Sequence, residues 1–445
     1  MSTVTVRREK VDAYIFTMRP YKRDRKRCPY CGAKCSGYDR TGRRRMWRGL
    51  DINGKQAYIE GEICRVKCPE HGVVTARVPW GDIHSQFTRA FESTVAWLAQ
   101  RLSKTDVAVY MGIDWETVGR CISRVRDRLE PDPTVRYAGL RYIGIDETSY
   151  KKGHKYLLVV VNHETNEVVW AHKGCGKEVL DLFFKELTPE QKAGIEVVTG
   201  DGAKWITSCV AQHCPNATRC MDCFHVVEWI NETLNDVKVD LARKARKDLR
   251  RLEQEEKKQN QVKKESGAAS IPQAKESAKP GRPKKEESEQ HRQARQSFEE
   301  LQSSMYPLLK KPENLTKNQQ AKLQLIENSY PDLYRAYQLK ESIRIILHAR
   351  DPEFVNQKLT LWILEARQSG IAGFDALADK IERNSEFIVN TIRCRMSNAR
   401  IESTNNKIKL IIRRAFGFRN IQYLIDMVLL VCSNLPIKLP HRRPA

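Results

Sequence analysis

The sequence lacks any long hydrophobic run. No apolar stretch approaches the roughly 18–20 residues that a membrane-spanning helix needs, and the first ten residues are polar and charged. We therefore expect neither a cleaved secretory signal nor a membrane partner. The thirteen cysteines are an odd number, which favours reduced thiols and metal ligands over a disulfide framework.

Acidic residues are scarce relative to basic ones. The 445 residues include 78 Lys and Arg against 55 Asp and Glu, a net charge of +23. Residues 1–50 hold 15 basic and 4 acidic side chains, and residues 393–445 hold 11 and 2. Two basic ends around a nearly neutral middle predict two contacts with a polyanion, for which nucleic acid is the obvious candidate. We expect a cytoplasmic, nucleoid-associated protein.

Changes in residue pattern divide the first half of the chain. Residues 1–82 are basic and aromatic, with Gly and Pro too frequent for long helices, and predict a small metal-stapled β module. Residues 84–130 have helical periodicity. Residues 138–228 alternate β-branched runs with short helical segments, which predicts an α/β core that opens with a meander.

The second half is predicted to be almost wholly helical. Residues 229–392 form a helical insertion, interrupted by a flexible loop at 259–296 that is rich in Lys, Glu, Ser and Gln. Residues 393–435 return to the core as C-terminal helices. Residues 436–445 are a basic tail.

A repeated pattern in the N-terminal module predicts a structural zinc site. Cys28-Pro-Tyr-Cys31-Gly and Cys68-Pro-Glu-His71-Gly share the order Cys-Pro-x-ligand-Gly. Two such knuckles supply the four ligands of a tetrahedral ion, and each Gly permits a tight turn. Cys35 and Cys64 are nearby competitors that lack the pattern.

Three predicted helices follow, at Phe87–Leu102, Lys104–Met111 and Trp115–Arg128. The last two are joined by Gly112-Ile113-Asp114, a short turn that is typical of a helix-turn-helix. We expect Asp114 to cap the third helix. We expect four side chains of this third helix to face a DNA groove, namely Thr117, Arg120, Ser123 and Arg124.

Carboxylates at the ends of apolar segments indicate a site for divalent metal ions. Asp146 lies inside an apolar strand, where a carboxylate is costly unless it binds a cation or a partner; Glu147 is its direct rival. Asp201 follows another strand between two glycines, and Glu402 lies on a late helix. Carboxylates from two strands and a helix suit two Mg²⁺ (or Mn²⁺) ions in phosphodiester cleavage.

The helix of Glu402 carries polar residues at helical spacing. Glu402, Asn405, Asn406, Lys409 and Arg413 recur at i, i+3, i+4, i+7 and i+11, which predicts one shared stripe. We expect the scissile DNA backbone to be held by residues of this region, namely Asn405, Asn406, Lys407, Lys409, Arg413, Arg414 and Arg419. At the other basic end, Arg43-Arg-Arg45 is expected to make a second contact with DNA.

These motifs together resemble a known family. The chain is similar to insertion-sequence transposases of the ISL-three group, over roughly residues 20 to 435. The resemblance rests on the two knuckles followed by Val78-Pro-Trp80, on Ile145-Asp146-Glu147, on Asp222-x-Phe224-His225, and above all on the block from Asn398 to Asn420.

The resemblance implies a fold and a set of roles. The fold would be an α/β RNase H-like catalytic core with a long all-helical insertion, preceded by the zinc module and the helix-turn-helix. Asp146, Asp201 and Glu402 would bind the catalytic metal ions. Asp222 and His225 would be an accessory Asp-x-x-His motif, and Asp222 rivals Asp201 for the middle position.

The expected activity is that of a DDE transposase. Such an enzyme binds terminal inverted repeats, cleaves double-stranded DNA at the element's ends with Mg²⁺ and joins them to target DNA, and we expect a homodimer or higher oligomer on DNA. The alternatives are a non-catalytic zinc and helix-turn-helix regulator, and a nuclease that lacks the joining step.

Overall fold

The computed structural model describes the backbone of residues 2–6, 9–22, 24–265, 288–396 and 399–439. The chain divides into two compact units. The first unit comprises Met1–Glu196, Ala211–Asn216 and Ala399–Ala445, and the second comprises Val197–Val210 and Ala217–Asn398. Within the described ranges, no helix combines the length and apolar character needed to cross a membrane.

The first unit begins with a mixed β-sheet in the order β1-β2-β4-β3, with β5 added on β4. β3 and β4 form a long antiparallel pair, whereas β2 runs parallel to β4. The buried cluster beside the knuckles contains three cysteines with Val66 and Ala76. The strands are β1 (Ser2–Val6), β2 (Glu9–Thr17), β3 (Ser36–Arg48), β4 (Gln56–Cys68) and β5 (Gly72–Thr75).

Three helices follow the sheet, close to the predicted bounds: α1 (Arg89–Ala99), α2 (Lys104–Met111) and α3 (Trp115–Leu129). Thr88 and Ser103 cap α1 and α2 by accepting backbone N–H bonds from Phe91 and Asp106. Gly112 ends α2 in the left-handed region, which glycine adopts without steric cost. Asp114 has the extended N-cap backbone that we predicted, but its side chain does not form the capping hydrogen bond.

An antiparallel meander forms the next layer. It consists of β6 (Tyr142–Lys151), β7 (Lys155–Asn162) and β8 (Glu167–Lys173), with β7 between the other two. Residues 157–161 of β7 are all buried, which explains why this strand is a continuous apolar run rather than an alternating one. Two helices follow, α4 (Lys177–Glu186) and α5 (Pro189–Ala193).

The second unit contains a parallel strand pair and a helical bundle. β9 (Val197–Gly200) pairs in parallel with β10 (Thr218–Met221), and α6 (Lys204–His213) lies between them in the chain. The bundle buries one large apolar cluster that includes Trp362 and Phe374. Its helices are α7 (Cys223–Glu265), α8 (Glu289–Ser303), α9 (Met305–Leu309), α10 (Lys317–Ser329), α11 (Pro331–His348), α12 (Pro352–Gln368) and α13 (Phe374–Cys394).

The bundle differs from the sequence prediction at the expected loop 259–296. α7 continues to Glu265 and α8 begins at Glu289, so helix occupies both ends of that segment. Lys, Glu and Gln are strong helix formers even where no apolar face is present, and low hydrophobicity alone therefore misplaced the boundaries. Residues 266–287 lie outside the described residues.

Two C-terminal helices, α14 (Ala399–Arg414) and α15 (Ile421–Cys432), belong to the first unit. α15 is apolar and packs against α3 and β8. α14 packs on β6 at Gly144, where a Cβ atom would lie 2.0 Å from Cδ1 of Ile401 and 2.8 Å from Nε2 of His163. Only glycine allows this helix to approach the strand so closely.

We expect Gly144→Ala to lower the free energy of unfolding by about 1–3 kcal/mol, because the added methyl overlaps Ile401. Ile401→Val in the same chain removes the Cδ1 atom and should recover part of the loss. Gly49→Ala is the matched control, since its Cβ would be 3.6 Å from the nearest atom. Denaturant titration measures the free energy of unfolding of the wild type, Gly144→Ala, the double variant with Ile401→Val, and Gly49→Ala. Equal losses of stability in Gly49→Ala and Gly144→Ala would contradict the packing explanation.

Candidate functional site

The two predicted knuckles come together in the N-terminal module. The ligand atoms of Cys28, Cys31, Cys68 and His71 all lie within 4.8 Å of one another. The Cys31 and Cys68 sulfur atoms are 3.6 Å apart, and Nδ1 of His71 is 3.7 Å from the Cys68 sulfur. Zn–S bonds of about 2.3 Å and Zn–N bonds of about 2.0–2.1 Å in tetrahedral geometry place ligand atoms at roughly such separations.

The chemistry of these residues suits zinc. The backbone N–H of His71, followed by its side chain, lowers the pKa of the Cys68 thiol to about 6, which favours the thiolate that binds metal. The two competitors lie outside the group of four. The Cys35 thiol donates to the Ala33 carbonyl at 3.3 Å, and Cys64 lines a separate cleft.

The predicted DNA-reading face of α3 is largely occupied within the first unit. Thr117 is buried, and Arg124 forms an ion pair with the buried carboxylate of Glu92 on α1. The Ser123 hydroxyl donates to Asp426, a buried residue of α15. These contacts contradict the prediction that Thr117, Ser123 and Arg124 face a DNA groove.

Arg120 is the predicted reading residue whose side chain is exposed, and it donates to the Thr117 hydroxyl at 2.7 Å. The prediction for Ser123 failed because α15 packs against that side of α3. A Cβ on Gly119 would be 2.4 Å from the Tyr423 ring, so this glycine was the available sign of a close helix neighbour. Asp426 also forms an ion pair with Arg126 at 3.1 Å.

Asp146 lies at the middle of β6 and is oriented by two donors. Its Oδ2 accepts from Nδ2 of Asn405 at 2.6 Å, and its Oδ1 accepts from the backbone N–H of Glu147 at 2.7 Å. Glu147 is its neighbour in the strand, so the two side chains project to opposite faces of the sheet. Asp146, and not its rival, shares the face that α14 covers.

The predicted polar stripe of α14 is divided between two faces of the helix. Glu402, Asn406, Lys409 and Arg413 are exposed, whereas Asn405 is buried. Ile401, Ile408 and Ile411 are buried beside Asn405, and together they form the side that packs inward. Asn405 is therefore not available to DNA, contrary to the prediction that it holds the DNA backbone.

Other predicted DNA-contacting residues near this helix also separate by exposure. Lys407 and Arg419 are exposed. Arg414 is half-buried and donates to the backbone carbonyl of Gln100, so this guanidinium serves a contact inside the first unit. An i, i+3, i+4 count groups residues that lie within about 100° of each other, which is too coarse to assign each one to solvent or core.

The second unit holds the two rival middle carboxylates. Gly200 and Met221 are partners at the ends of the parallel strands β9 and β10, so Asp201 and Asp222 follow at the same edge. Oδ1 of Asp201 accepts from the Ala203 N–H at 2.9 Å, and Oδ1 of Asp222 accepts from the Phe224 N–H at 3.0 Å. Both carboxylates are half-buried.

A buried guanidinium, that of Arg219, lies beside one of these two carboxylates, Asp201. Arg219 lies in β10 and donates to the backbone carbonyls of Cys220 and Asp201. Burial lowers its pKa to about 10, and the Asp201 carboxylate opposes that shift. Arg219 therefore remains charged at neutral pH beside Asp201. His225 of the predicted accessory motif lies 3.1 Å from the Glu228 carboxylate through Nδ1.

The three arginines predicted to contact DNA at the N-terminal end differ in exposure, since Arg43 and Arg44 are exposed and Arg45 is half-buried. Arg45 donates to the backbone carbonyls of Ile83 and Ser85, and Arg44 pairs with Glu60 at 2.8 Å. Beside the zinc group lies a cleft of about 470 Å³. Its exposed cationic lining residues are Arg19, Arg25, Lys26, Arg65 and Arg77, with Asp39 and Glu62 as the acidic ones.

Comparison with known proteins identifies the family. Residues 143–428 match a family described as "Transposase", residues 76–126 match the "Helix-turn-helix domain of transposase family ISL3", and residues 24–71 match the "zinc-finger of transposase IS204/IS1001/IS1096/IS1165". The chain belongs to the ISL3 family of transposases. Its resemblance to that group, inferred from the motifs, is confirmed.

Similar proteins extend the match over nearly the whole chain. The transposase for insertion sequence element IS1557 of two Mycobacterium tuberculosis strains is 41% identical over 428 residues, which are 96% of this chain and 90% of the relative. The transposase for IS1001 of Bordetella parapertussis is 26% identical over 401 residues, 89% of this chain and 86% of the relative. This transposase therefore has a helix-turn-helix DNA-binding domain, and its zinc-finger match spans all four clustered ligands.

We expect Cys31→Ala and Cys68→Ala to reduce bound zinc from one ion per chain to almost none, because three ligands hold the ion far less tightly than four. His71→Cys should retain zinc as a four-cysteine site. Cys64→Ala is the control within the same module and should keep its zinc. The metal content of purified protein checks these outcomes, and zinc loss in Cys64→Ala would contradict the assigned ligands.

Proposed function

We propose that this transposase binds the terminal inverted repeats of its insertion sequence and catalyses Mg²⁺-dependent DNA cleavage and strand transfer. The observation that carries the proposal is the packing of α14 on β6 within the first unit. Because Ile401 contacts Gly144 and Asn405 contacts Asp146, the neighbouring Glu402 belongs to the same small region as Asp146. Membership of the transposase family supports DNA cleavage in general.

The proposed catalytic core is RNase H-like. Its support is the chain order of an antiparallel meander, a helical segment, and then two parallel strands separated by a helix. α7 to α13 would be the helical insertion, which separates the first two carboxylates from Glu402 in sequence. In this proposal the chain consists of a zinc module, a helix-turn-helix, and a catalytic core that is split by the helical insertion.

Asp146, Asp201 and Glu402 are the proposed ligands for two Mg²⁺ or Mn²⁺ ions. The donor set is entirely carboxylate, which suits hard divalent cations. Asp146 is held by two hydrogen bonds, and Glu402 is exposed to solvent, where it can reach a cation. We favour Asp201 over Asp222 for the middle position because Asp201 directly follows the buried strand β9 and lies between two glycines, Gly200 and Gly202.

The residues divide the work of the reaction. When bound, the metal ions would activate water or a 3′-hydroxyl and stabilise the leaving oxygen. The carboxylates hold those ions, and the exposed cations Lys407, Lys409, Arg413 and Arg419 hold the DNA backbone. Asp222 and His225 remain proposed accessory residues, and the pairing of His225 with Glu228 limits how its imidazole can turn.

DNA contact at the N-terminal end is proposed through the exposed Arg43 and Arg44 and through the basic cleft, whereas Arg45 donates to backbone carbonyls. The exposed Arg and Lys side chains at the cleft are suited to phosphate contacts. Two ends of an insertion sequence must be brought together for strand transfer. We therefore also propose a homodimer or higher oligomer on DNA.

We expect Asp146→Asn, Asp201→Asn and Glu402→Gln each to lower cleavage of an end-containing oligonucleotide by more than about 100-fold, because each removes a charged metal ligand. Metal-free DNA binding should stay close to wild type. Gel assays of nicking and joining in Mg²⁺ measure the first effect, and fluorescence anisotropy measures the second.

Asp222→Asn is the matched comparison for Asp201→Asn, since both residues follow a strand at the same edge. Greater loss in Asp222→Asn would reassign the middle ligand. Full strand transfer by all three triad variants would refute the catalytic proposal. Absence of Mg²⁺-dependent cleavage by the wild type would instead favour the non-catalytic regulator.

We expect Lys409→Gln and Arg413→Gln to weaken DNA binding at all sequences. Each should reduce the slope of log affinity against log salt by about 0.9 for every DNA phosphate that the variant no longer neutralises. Arg414→Gln is the control on the same helix, because its guanidinium bonds to Gln100 and should leave the slope unchanged. Binding titrations across a salt series measure the slope, and equal slopes for Arg413→Gln and wild type would exclude Arg413 as a phosphate-binding residue.

A further inference from the structure

Asn405 is a buried amide whose hydrogen-bonding groups are both engaged. The residue is 9% exposed, and Thr148 is 2% exposed. The Thr148 hydroxyl donates to Oδ1 of Asn405 at 2.6 Å, and Nδ2 of Asn405 donates to Oδ2 of Asp146 at 2.6 Å. A continuous chain of hydrogen bonds therefore leads from Thr148 through Asn405 to Asp146.

The periodicities of the strand and the helix bring these groups together. Gly144, Asp146 and Thr148 alternate along β6 and share one face. Ile401 and Asn405 are four residues apart on α14 and share one side of that helix. Because Ile401 occupies the space above Gly144, Asn405 comes to lie over the two polar side chains.

The chain of bonds has one consistent direction. An ionised carboxylate only accepts hydrogen bonds, so Asn405 must present its NH₂ group to Asp146. Its carbonyl oxygen then faces Thr148, whose hydroxyl donates to it. Thr148 thus holds the amide in the orientation that Asp146 requires, and the two donors to Asp146 approach different oxygens. These contacts restrict rotation of the carboxylate.

We propose that Asn405 and Thr148 are positioning residues that hold the Asp146 carboxylate in the orientation needed to bind a divalent metal ion. This inference rests on the proposed role of Asp146 as a metal ligand. Hydrogen-bonded partners of metal ligands commonly contribute about 10–100-fold to metal affinity or activity. Neither residue needs to touch DNA or metal to have this effect.

The test uses Mn²⁺ binding to the full-length protein without DNA, measured from the electron paramagnetic resonance signal of free Mn²⁺. Thr148→Val keeps the shape of the side chain but removes the hydroxyl, and Asn405→Ala removes the amide. We expect both to raise the Kd for Mn²⁺ by about tenfold and to slow Mg²⁺-dependent nicking. Thr148→Ser restores the hydroxyl and should return Mn²⁺ affinity to near that of wild type.

The matched control is Ser149→Ala, which removes the exposed hydroxyl next to Thr148 on β6, and for which we expect unchanged Mn²⁺ affinity. Thermal unfolding midpoints and metal-free DNA binding show whether each variant is folded. A purely structural role would give Thr148→Val and Thr148→Ser equal metal affinity, or would weaken Mn²⁺ binding only in proportion to the decrease in stability. Either result overturns the proposal.

The Asp146→Asn variant distinguishes a failure of this inference from a failure of the proposed role of Asp146 as a metal ligand. If Asp146→Asn loses Mn²⁺ affinity while Thr148→Val and Asn405→Ala bind as wild type, the positioning role is wrong and the metal ligand stands. If Asp146→Asn also binds Mn²⁺ as wild type, both the ligand assignment and the positioning role are wrong. Weaker binding in all three, with recovery in Thr148→Ser, supports the proposal.

Discussion

The close contact between α14 and β6 is the constraint on which the candidate catalytic region depends. Gly144 has no side chain, so Ile401 fills the space above the strand. That contact sets the rotation of α14 and brings Asn405 onto Asp146. With the inward side of the helix determined, Glu402, Lys409 and Arg413 lie on its exposed side. One missing Cβ atom thus contributes to deciding which polar residues of α14 face solvent.

A different constraint governs the N-terminal module. Three of its cysteines lie in a small buried cluster with only two other buried residues. We therefore expect folding there to draw on the metal ligands as well as on apolar packing. The positive charge of this region is not one uniform surface. Arg45 is partly buried among backbone carbonyls, and burial lowers its pKa, whereas the arginines of the cleft are exposed. The positive charge of the first fifty residues therefore divides between an arginine that supports the fold and side chains that face solvent.

Sequence reasoning succeeded where the signal is local. The two knuckles were found from a pattern of five residues, and α2 was predicted at its observed bounds from helical periodicity and the glycine-containing turn that follows it. It failed where a distant segment supplies the neighbour. α15 lies about three hundred residues after α3 in the chain. Its Asp426 accepts a hydrogen bond from Ser123 and forms an ion pair with Arg126. Thr148 was missed for the same reason, although its position two residues after Asp146 places both on one face of the strand.

The sequence by itself determined the family and the four residues that cluster as a candidate zinc site, because these depend on residue type and short spacing. It also named the carboxylates that we propose as metal ligands. The tertiary structure decided which side of each helix is buried. Asn405 and Asn406 are chemically identical and adjacent, yet one orients Asp146 and the other faces solvent. A helix turns by about 100° per residue, so neighbouring positions differ only through what packs against them. That packing arises from segments far apart in the chain.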